Sequence, residues 1–68
     1  MAENSEKRFG TIAIEKGFIT KDQFVEAMAI QIDIELEGPE HIVVGKILQL
    51  IGYMTKEQVM EVLESLND

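Results

Sequence analysis

The sequence predicts an all-α protein in which four short helices form two tandem helix-turn-helix repeats of one small bundle. Apolar residues recur at helical spacing, two glycines stand where helices should end, and two Thr-x-x-Gln motifs stand where the next helices should begin. Shifting the sequence against itself by 35 residues aligns the two halves, pairing Gly10 with Gly45 and Gly17 with Gly52. We therefore interpret the chain as a duplication.

The first repeat, about residues 8–31, is predicted to contain two helices and a glycine turn. Gly17 is the expected C′ residue, where glycine adopts the left-handed conformation that ends a helix. Thr20 and Gln23 fit a capping box, in which each residue's side chain bonds the other's backbone N–H. The predicted apolar stripes contain Phe9, Ile12, Ala13, Phe24, Ala27, Met28 and Ile32.

The linker, residues 32–42, is harder to interpret. Residues 32–37 alternate apolar and acidic side chains, a strand pattern, but with no partner strand we assign them to the end of the second helix. Gly38 and Pro39 end that helix, and Pro39 can serve as the first residue of the next one, with Glu40 near its N-terminus.

The second repeat, about residues 43–66, follows the same plan, and all residues form one domain with 1–5 expected to be disordered. The predicted core comprises Phe9, Ile12, Ala13, Ile19, Phe24, Met28, Ile47, Leu48, Ile51, Val59, Val62, Leu63 and Leu66. Ile14, Val43 and Leu50 fall outside these stripes, so we expect them on a surface that contacts another protein or a second copy of the chain.

Composition narrows the classes of function. The 68 residues include thirteen acidic and six basic side chains, a net charge of −7, which disfavours nucleic acid and anionic lipid as partners. No apolar run is long enough to cross a bilayer, and the N-terminus lacks a signal-peptide pattern. We expect a cytoplasmic protein without membrane insertion.

Catalysis and metal binding are not expected. The chain has no Cys and one His, His41, while Ser5 and Ser65 lie near opposite ends, so no nucleophile has an evident base. Residues 33–38 resemble the start of an EF-hand loop, but Val44 stands where the bidentate carboxylate belongs. We predict a non-enzymatic protein with no cofactor and no metal site.

Several residues together resemble a family motif: Arg8-Phe-Gly10, Gly17-Phe-Ile, Phe24, Met28 and Gln31. The pattern is similar to the N-terminal, MshEN-type domain of type II secretion and type IV pilus ATPases, which we expect here as a small protein without the motor. That domain carries two such motifs, and some members bind cyclic di-GMP. The resemblance implies a ligand site at Arg8, Gly10, Gly17 and Gln31, with Arg8 meeting guanine or phosphate.

The second copy departs from the motif, because Val43 and Leu66 stand at its Arg and Gln positions. We therefore favour a protein-interaction or regulatory module similar to the secretion-ATPase domain, and keep a cyclic di-GMP sensor as the alternative. From spacing alone, Gly10 and Gly45 fit close helix packing better than ligand contact. A DNA-binding helix pair would need a basic second helix, which the acidic residues 20–37 do not supply.

Overall fold

The computed structural model describes residues 2–67, with side chains from Glu6 to Asn67. It contains four helices and, within residues 2–67, no strand. The helices are α1 (Ala2–Glu15), α2 (Lys21–Glu37), α3 (Val44–Leu50) and α4 (Lys56–Leu66). The predicted all-α, four-helix class is confirmed, whereas the duplication stays a prediction from the sequence.

The first helix begins earlier than expected. In the structure α1 starts at Ala2, and Met1 lies outside the described residues, while the disorder expected for residues 1–5 stays a prediction. The apolar stripe of this helix begins only at Phe9, so periodicity gave no signal for the preceding two turns.

Both predicted glycine turns are confirmed. Gly17 and Gly52 have φ angles of 81° and 88°, the left-handed region that side chains with a Cβ disfavour. Phe18 N–H donates to the Ala13 carbonyl at 3.0 Å, and Gly17 N–H donates to the Ile14 carbonyl at 2.9 Å. These two bonds form the Schellman pattern. The turn after α3 repeats it, with Tyr53 N–H donating to the Leu48 carbonyl at 2.9 Å.

Both capping boxes are confirmed as well. Thr20 Oγ1 accepts from Gln23 N–H at 3.1 Å, and Thr20 N–H donates to Gln23 Oε1 at 2.8 Å. Thr55 and Gln58 form the same reciprocal pair before α4. These bonds satisfy N–H groups that lack partners within the helix, so they fix where α2 and α4 begin.

The most extensive packing of each helix is against a helix of the other half of the chain. The most extensive helix packing joins α2 to α3 and α1 to α4, and α3 also contacts α4 and α1. The two helices of each predicted repeat, α1 with α2 and α3 with α4, therefore do not form two separate pairs. Each half completes its packing with helices of the other half, around one shared core.

The core agrees with the predicted stripes at most positions. The buried apolar residues are Phe9, Ala13, Ile19, Ala27, Val44, Ile47, Leu48, Met54 and Val62. Ile51 and Leu63, which we assigned to the core, are exposed. Leu63 lies at the edge of the α4 stripe, and Ile51 belongs to the turn beyond α3, so neither faces the interior.

The linker prediction is correct for its first part and wrong for its second. Helix α2 continues to Glu37, and its alternating pattern arises because Ile34 packs against the core while Ile32 and Leu36 face outward. Pro39 does not start a helix, since α3 begins at Val44. The intervening residues 38–43 are irregular, and Gly38 is extended, with φ −176°.

Candidate functional site

The described surface contains a partly open cavity of about 240 Å³ between α1, α3 and α4. Its lining residues are Glu6, Phe9, Val43, Val44, Gly45, Lys46, Gln49, Val59, Leu63 and Leu66. The side chains of Glu6, Lys46 and Gln49 are the polar members, and the rest of the wall is apolar. Among residues 6–67, no buried side-chain nitrogen or oxygen lacks a hydrogen-bond partner. The cavity is therefore a site for apolar groups.

The cavity coincides with the second copy of the sequence motif. In the alignment of the two halves, Val43, Gly45 and Leu66 are the counterparts of Arg8, Gly10 and Gln31. The structure brings these three second-copy residues together in one wall. Because two of them are apolar where the motif is charged or amide-bearing, the wall cannot donate hydrogen bonds from those side chains to an anion.

The cavity lies where the second half has no aromatic ring at the position equivalent to Phe24. Val59 is the counterpart of Phe24 and is too small to cover Gly45. The ring of Phe9 contacts Gly45 instead, and a Cβ at that glycine would lie 2.9 Å from Phe9 Cζ. This contact comes from α1 and leaves the space beside Val59 empty.

The corresponding place in the first half is closed. A Cβ at Gly10 would lie 2.3 Å from two carbons of the Phe24 ring, so glycine is required for the contact between α1 and α2. Gly10, one of the ligand residues implied by the resemblance, is thus buried beneath an aromatic side chain. This packing agrees with the prediction from spacing that Gly10 allows close helix packing rather than ligand contact.

Gln31, the second of those residues, is only 4% exposed and bonds within the protein. Its Nε2 donates to Glu6 Oε1 at 2.8 Å and to the Ile42 carbonyl at 2.9 Å. It takes the buried place on α2 that we had assigned to Ile32, because the stripe of Phe24 advances by seven residues to Gln31. Sequence reasoning could have found it from that spacing.

A histidine extends this network to the linker. His41 Nδ1 is hydrogen-bonded to Glu35, and its Nε2 lies 3.5 Å from Glu6 Oε1. The imidazole thus bridges two carboxylates from opposite ring nitrogens, an arrangement that ties residues 38–43 to α1 and α2. No group of three His, Cys, Asp or Glu residues in the described chain converges on a point that would suit a metal ion.

The other two ligand residues implied by the resemblance, Arg8 and Gly17, are exposed. Gly17 forms the turn after α1, where its positive φ gives it a structural role. Arg8 lines a broader depression of about 480 Å³ with Lys7, Thr11 and Ile12. The buried Gly10 and Gln31 do not line that depression.

The three residues expected on a contact surface have different surroundings. Val43 and Leu50 are 55% and 65% exposed, two turns apart on one side of α3. Ile14 is half-buried and packs against the core, and its role in a contact surface stays a prediction. Met60 and Leu63 on α4 are further exposed apolar side chains, which sequence reasoning had not placed there.

Two side-chain contacts connect the halves on either side of the core. Tyr53 OH, in the second turn, donates to Glu26 Oε1 at 2.8 Å. Lys16 Nζ, beside the first turn, lies 3.1 Å from Glu61 Oε2. Glu26 and Glu61 are identical residues in the alignment, so each half uses the same glutamate on the other half's turn. The hydrogen bond to Glu26 raises the pKa of the Tyr53 phenol above its ordinary value, with smaller contributions from desolvation and the carboxylate charge.

No helix in residues 2–67 has the length and apolar character needed to cross a bilayer. Comparisons of the chain with protein-family models, curated proteins and solved structures gave no match. The features of the molecule that bear on its function are therefore the cavity, the exposed apolar side chains and the internal hydrogen-bond networks.

Proposed function

We propose that this protein is a non-enzymatic interaction module whose cavity between α1, α3 and α4 receives an apolar side chain of a partner protein. The single observation that supports this function is the cavity itself, which has an apolar wall and opens beside exposed Val43 and Leu63. Exposed apolar surface next to a pocket is typical of protein contact sites, where one anchoring side chain is buried and neighbouring residues exclude water.

The cavity volume favours a side chain over a small molecule. A cavity of about 240 Å³ is larger than the ~150 Å³ apolar cavity that takes benzene, so it has room for one aromatic or branched side chain. It is smaller than the ~300 Å³ at which pockets for drug-sized ligands begin. A cyclic dinucleotide also needs donors for its phosphates, and Val43 and Leu66 offer none from their side chains.

A variant that fills the cavity tests the proposal without weakening the fold. Val59→Phe restores the ring that the first half carries at Phe24, and we expect it to raise the free energy of unfolding by about 1 kcal/mol because it buries apolar surface. Met60→Phe is the matched control, since it adds the same ring at an exposed neighbour outside the cavity.

The readout is photo-cross-linking in the native host, with benzoylphenylalanine at Leu63 or, as the control position, at Glu57. We expect a discrete cross-linked partner from position 63, its loss in Val59→Phe and its retention in Met60→Phe. A cross-link that survives Val59→Phe, or equal products from both positions, would contradict the proposal. Urea unfolding of each variant excludes loss of the fold as the cause.

Cyclic di-GMP binding is the second candidate, favoured by the depression that Lys7, Arg8 and Thr11 line on α1. An amide NMR titration with cyclic di-GMP, with GTP as control, distinguishes the two functions. For an interaction module we expect no shifts at millimolar nucleotide. Shifts around Arg8 that Arg8→Ala abolishes would replace the module with a nucleotide sensor.

A further inference from the structure

The outward side of α2 carries an apolar row that the core does not use. Val25, Ala29, Ile32 and Leu36 are all exposed, with Ile32 at 52% and Leu36 at 80%. We call these four residues the outer seam. They belong to a helix that contributes no residue to the cavity between α1, α3 and α4.

The outer seam has the spacing of a coiled-coil interface. Its members are separated by four, three and four residues, which is the alternation of a and d positions in a heptad repeat. The inward side of α2 is occupied by Ala27 and Gln31, both buried. Helix α2 is therefore apolar on two sides, one packed in this protein and the other facing solvent.

The charges beside the outer seam have one sign. Glu26 and Asp33 follow seam residues at e positions, and Glu35 stands at a g position. Across α2 the sequence carries five acidic side chains and one basic one, Lys21 at its first residue. A helix lying on the seam would therefore meet Glu26 and Asp33 along one edge and Glu35 along the other, with Glu26 also bonded to Tyr53 and Glu35 to His41.

This charge pattern determines what can pair with the seam. An antiparallel second copy would place Glu26 against Asp33, and each copy carries a net charge of −7, which disfavours self-pairing. A helix with lysine or arginine beside its own apolar seam would gain attraction along both edges. We propose that the outer seam binds a basic amphipathic helix of a partner protein, so that this chain contacts partners through two separate surfaces.

The pairing is expected to be weak and readily reversible. Helix α2 has 17 residues, roughly 25 Å at 1.5 Å per residue. The seam covers about two heptads, fewer than the three or four over which coiled coils are usually sustained. Affinity then depends on the flanking charges, and added salt weakens it.

Two synthetic peptides test the proposal. Both carry leucine at four seam positions with four-three-four spacing. One has lysine and arginine at its flanking positions and the other has glutamate. Titration of the intact, isotope-labelled protein with each peptide is followed by amide NMR and calorimetry. We expect the basic peptide to shift residues 25–36, and the acidic peptide to bind at least about tenfold more weakly.

Variants separate seam pairing from general attraction to an acidic protein. Ile32→Asp makes the net charge more negative, so non-specific binding of a basic peptide would increase, whereas seam pairing should weaken at least about tenfold. Met60→Asp is the matched control, with the same charge change at a residue of α4 that is equally exposed and lies outside both the outer seam and the cavity, and it should leave binding unchanged. Both sites are exposed, and circular dichroism checks the fold.

Four results would overturn the proposal: no binding of the basic peptide, equal binding of both peptides, equal binding by Ile32→Asp, or shifts centred on α3 and α4. Self-association of the protein alone, seen by ultracentrifugation and lost in Ile32→Asp, would also overturn it, because the occupant would then be a second copy.

Discussion

The two halves of the molecule use the same turns and caps but cover their inner glycines differently. In the first half, the Phe24 ring closes over Gly10. In the second half, Val59 leaves a cavity beside Gly45. The residues that fix the backbone are thus shared, while the side chains that fill the space differ. The same arrangement of helices can therefore give a closed contact in one half and an open apolar site in the other.

The largest effect on the free energy of unfolding is expected at Gln31, whose counterpart Leu66 is apolar. Gln31→Leu removes the donor to Glu6 and to the Ile42 carbonyl, and the loss of both bonds at a buried site should cost about 3 kcal/mol, although His41 stays beside Glu6. Leu66→Gln, at a half-buried cavity residue, should cost about 1 kcal/mol. Urea unfolding measures both. Equal losses would show that the Gln31 network contributes no special stability.

Adding a methyl group to each inner glycine tests the closed contact against the open one. Gly10→Ala must displace the Phe24 ring and should lower the free energy of unfolding by about 2 kcal/mol. In Gly45→Ala the Phe9 ring has the cavity beside it, and the gain in helix propensity of about 1 kcal/mol offsets most of the strain.

Gly38→Ala is the control for this pair, since Gly38 is extended with open space around it, and its stability should change little. Thermal unfolding followed by circular dichroism gives the order of the three variants. A larger loss at Gly45 than at Gly10 would contradict the description of the second half as the open one.

The turns should respond alike, because both halves build them in the same way. Gly17→Ala and Gly52→Ala each place a Cβ in the left-handed region, with no atom within 4 Å to add a clash. We expect each to cost about 1 kcal/mol. Unfolding midpoints that differ clearly between these two variants would show that the turns are not equivalent in energy.

The smallest effect is expected at Glu26 and Glu61, the two glutamates that join the halves at the surface. The protein has one tyrosine and no tryptophan, so absorbance near 295 nm reports Tyr53 alone. Its pKa is raised above 10.0 by the bond to Glu26, so Glu26→Gln should lower the pKa toward that value. Glu61→Gln, the counterpart that contacts Lys16, should leave the titration unchanged.

The sign of the pH effect follows from the same bond. Because the folded-state pKa of Tyr53 lies above the unfolded value, its contribution to stability is present below pH 10.0 and is lost as the pH rises through the folded-state pKa. A Tyr53 titration with its midpoint at or below 10.0 in the folded protein would contradict the hydrogen bond.

Local features of the fold could be predicted from the sequence because each rests on neighbouring residues. The glycine turn at Gly17 and the capping box at Thr20 depend on backbone conformation and on bonds within a few residues, and the structure contains both. The start of α3 could not be predicted in this way. Val43, its N-cap residue, has no hydrogen-bonding side-chain atom, so no sequence signal marks the boundary.

Features that depend on distant residues were beyond the sequence. The spacing from Phe24 indicates that Gln31 faces inward, but its hydrogen-bond partners, Glu6 and the Ile42 carbonyl, come from α1 and the linker. The cavity needs α1, α3 and α4 to meet around Val59. The packing of each half on the other is likewise a property of the tertiary fold, and that packing determines which side of α2 remains exposed.

The packing of each half on the other also affects how the chain folds. Because α1 packs on α4 and α2 on α3, the most extensive helix contacts each join the first half of the chain to the second. Neither half would therefore form a stable folding unit alone, and the transition state should include segments from both. Cleavage in residues 38–43 would leave two fragments that regain structure only together, so their recovery would depend on fragment concentration.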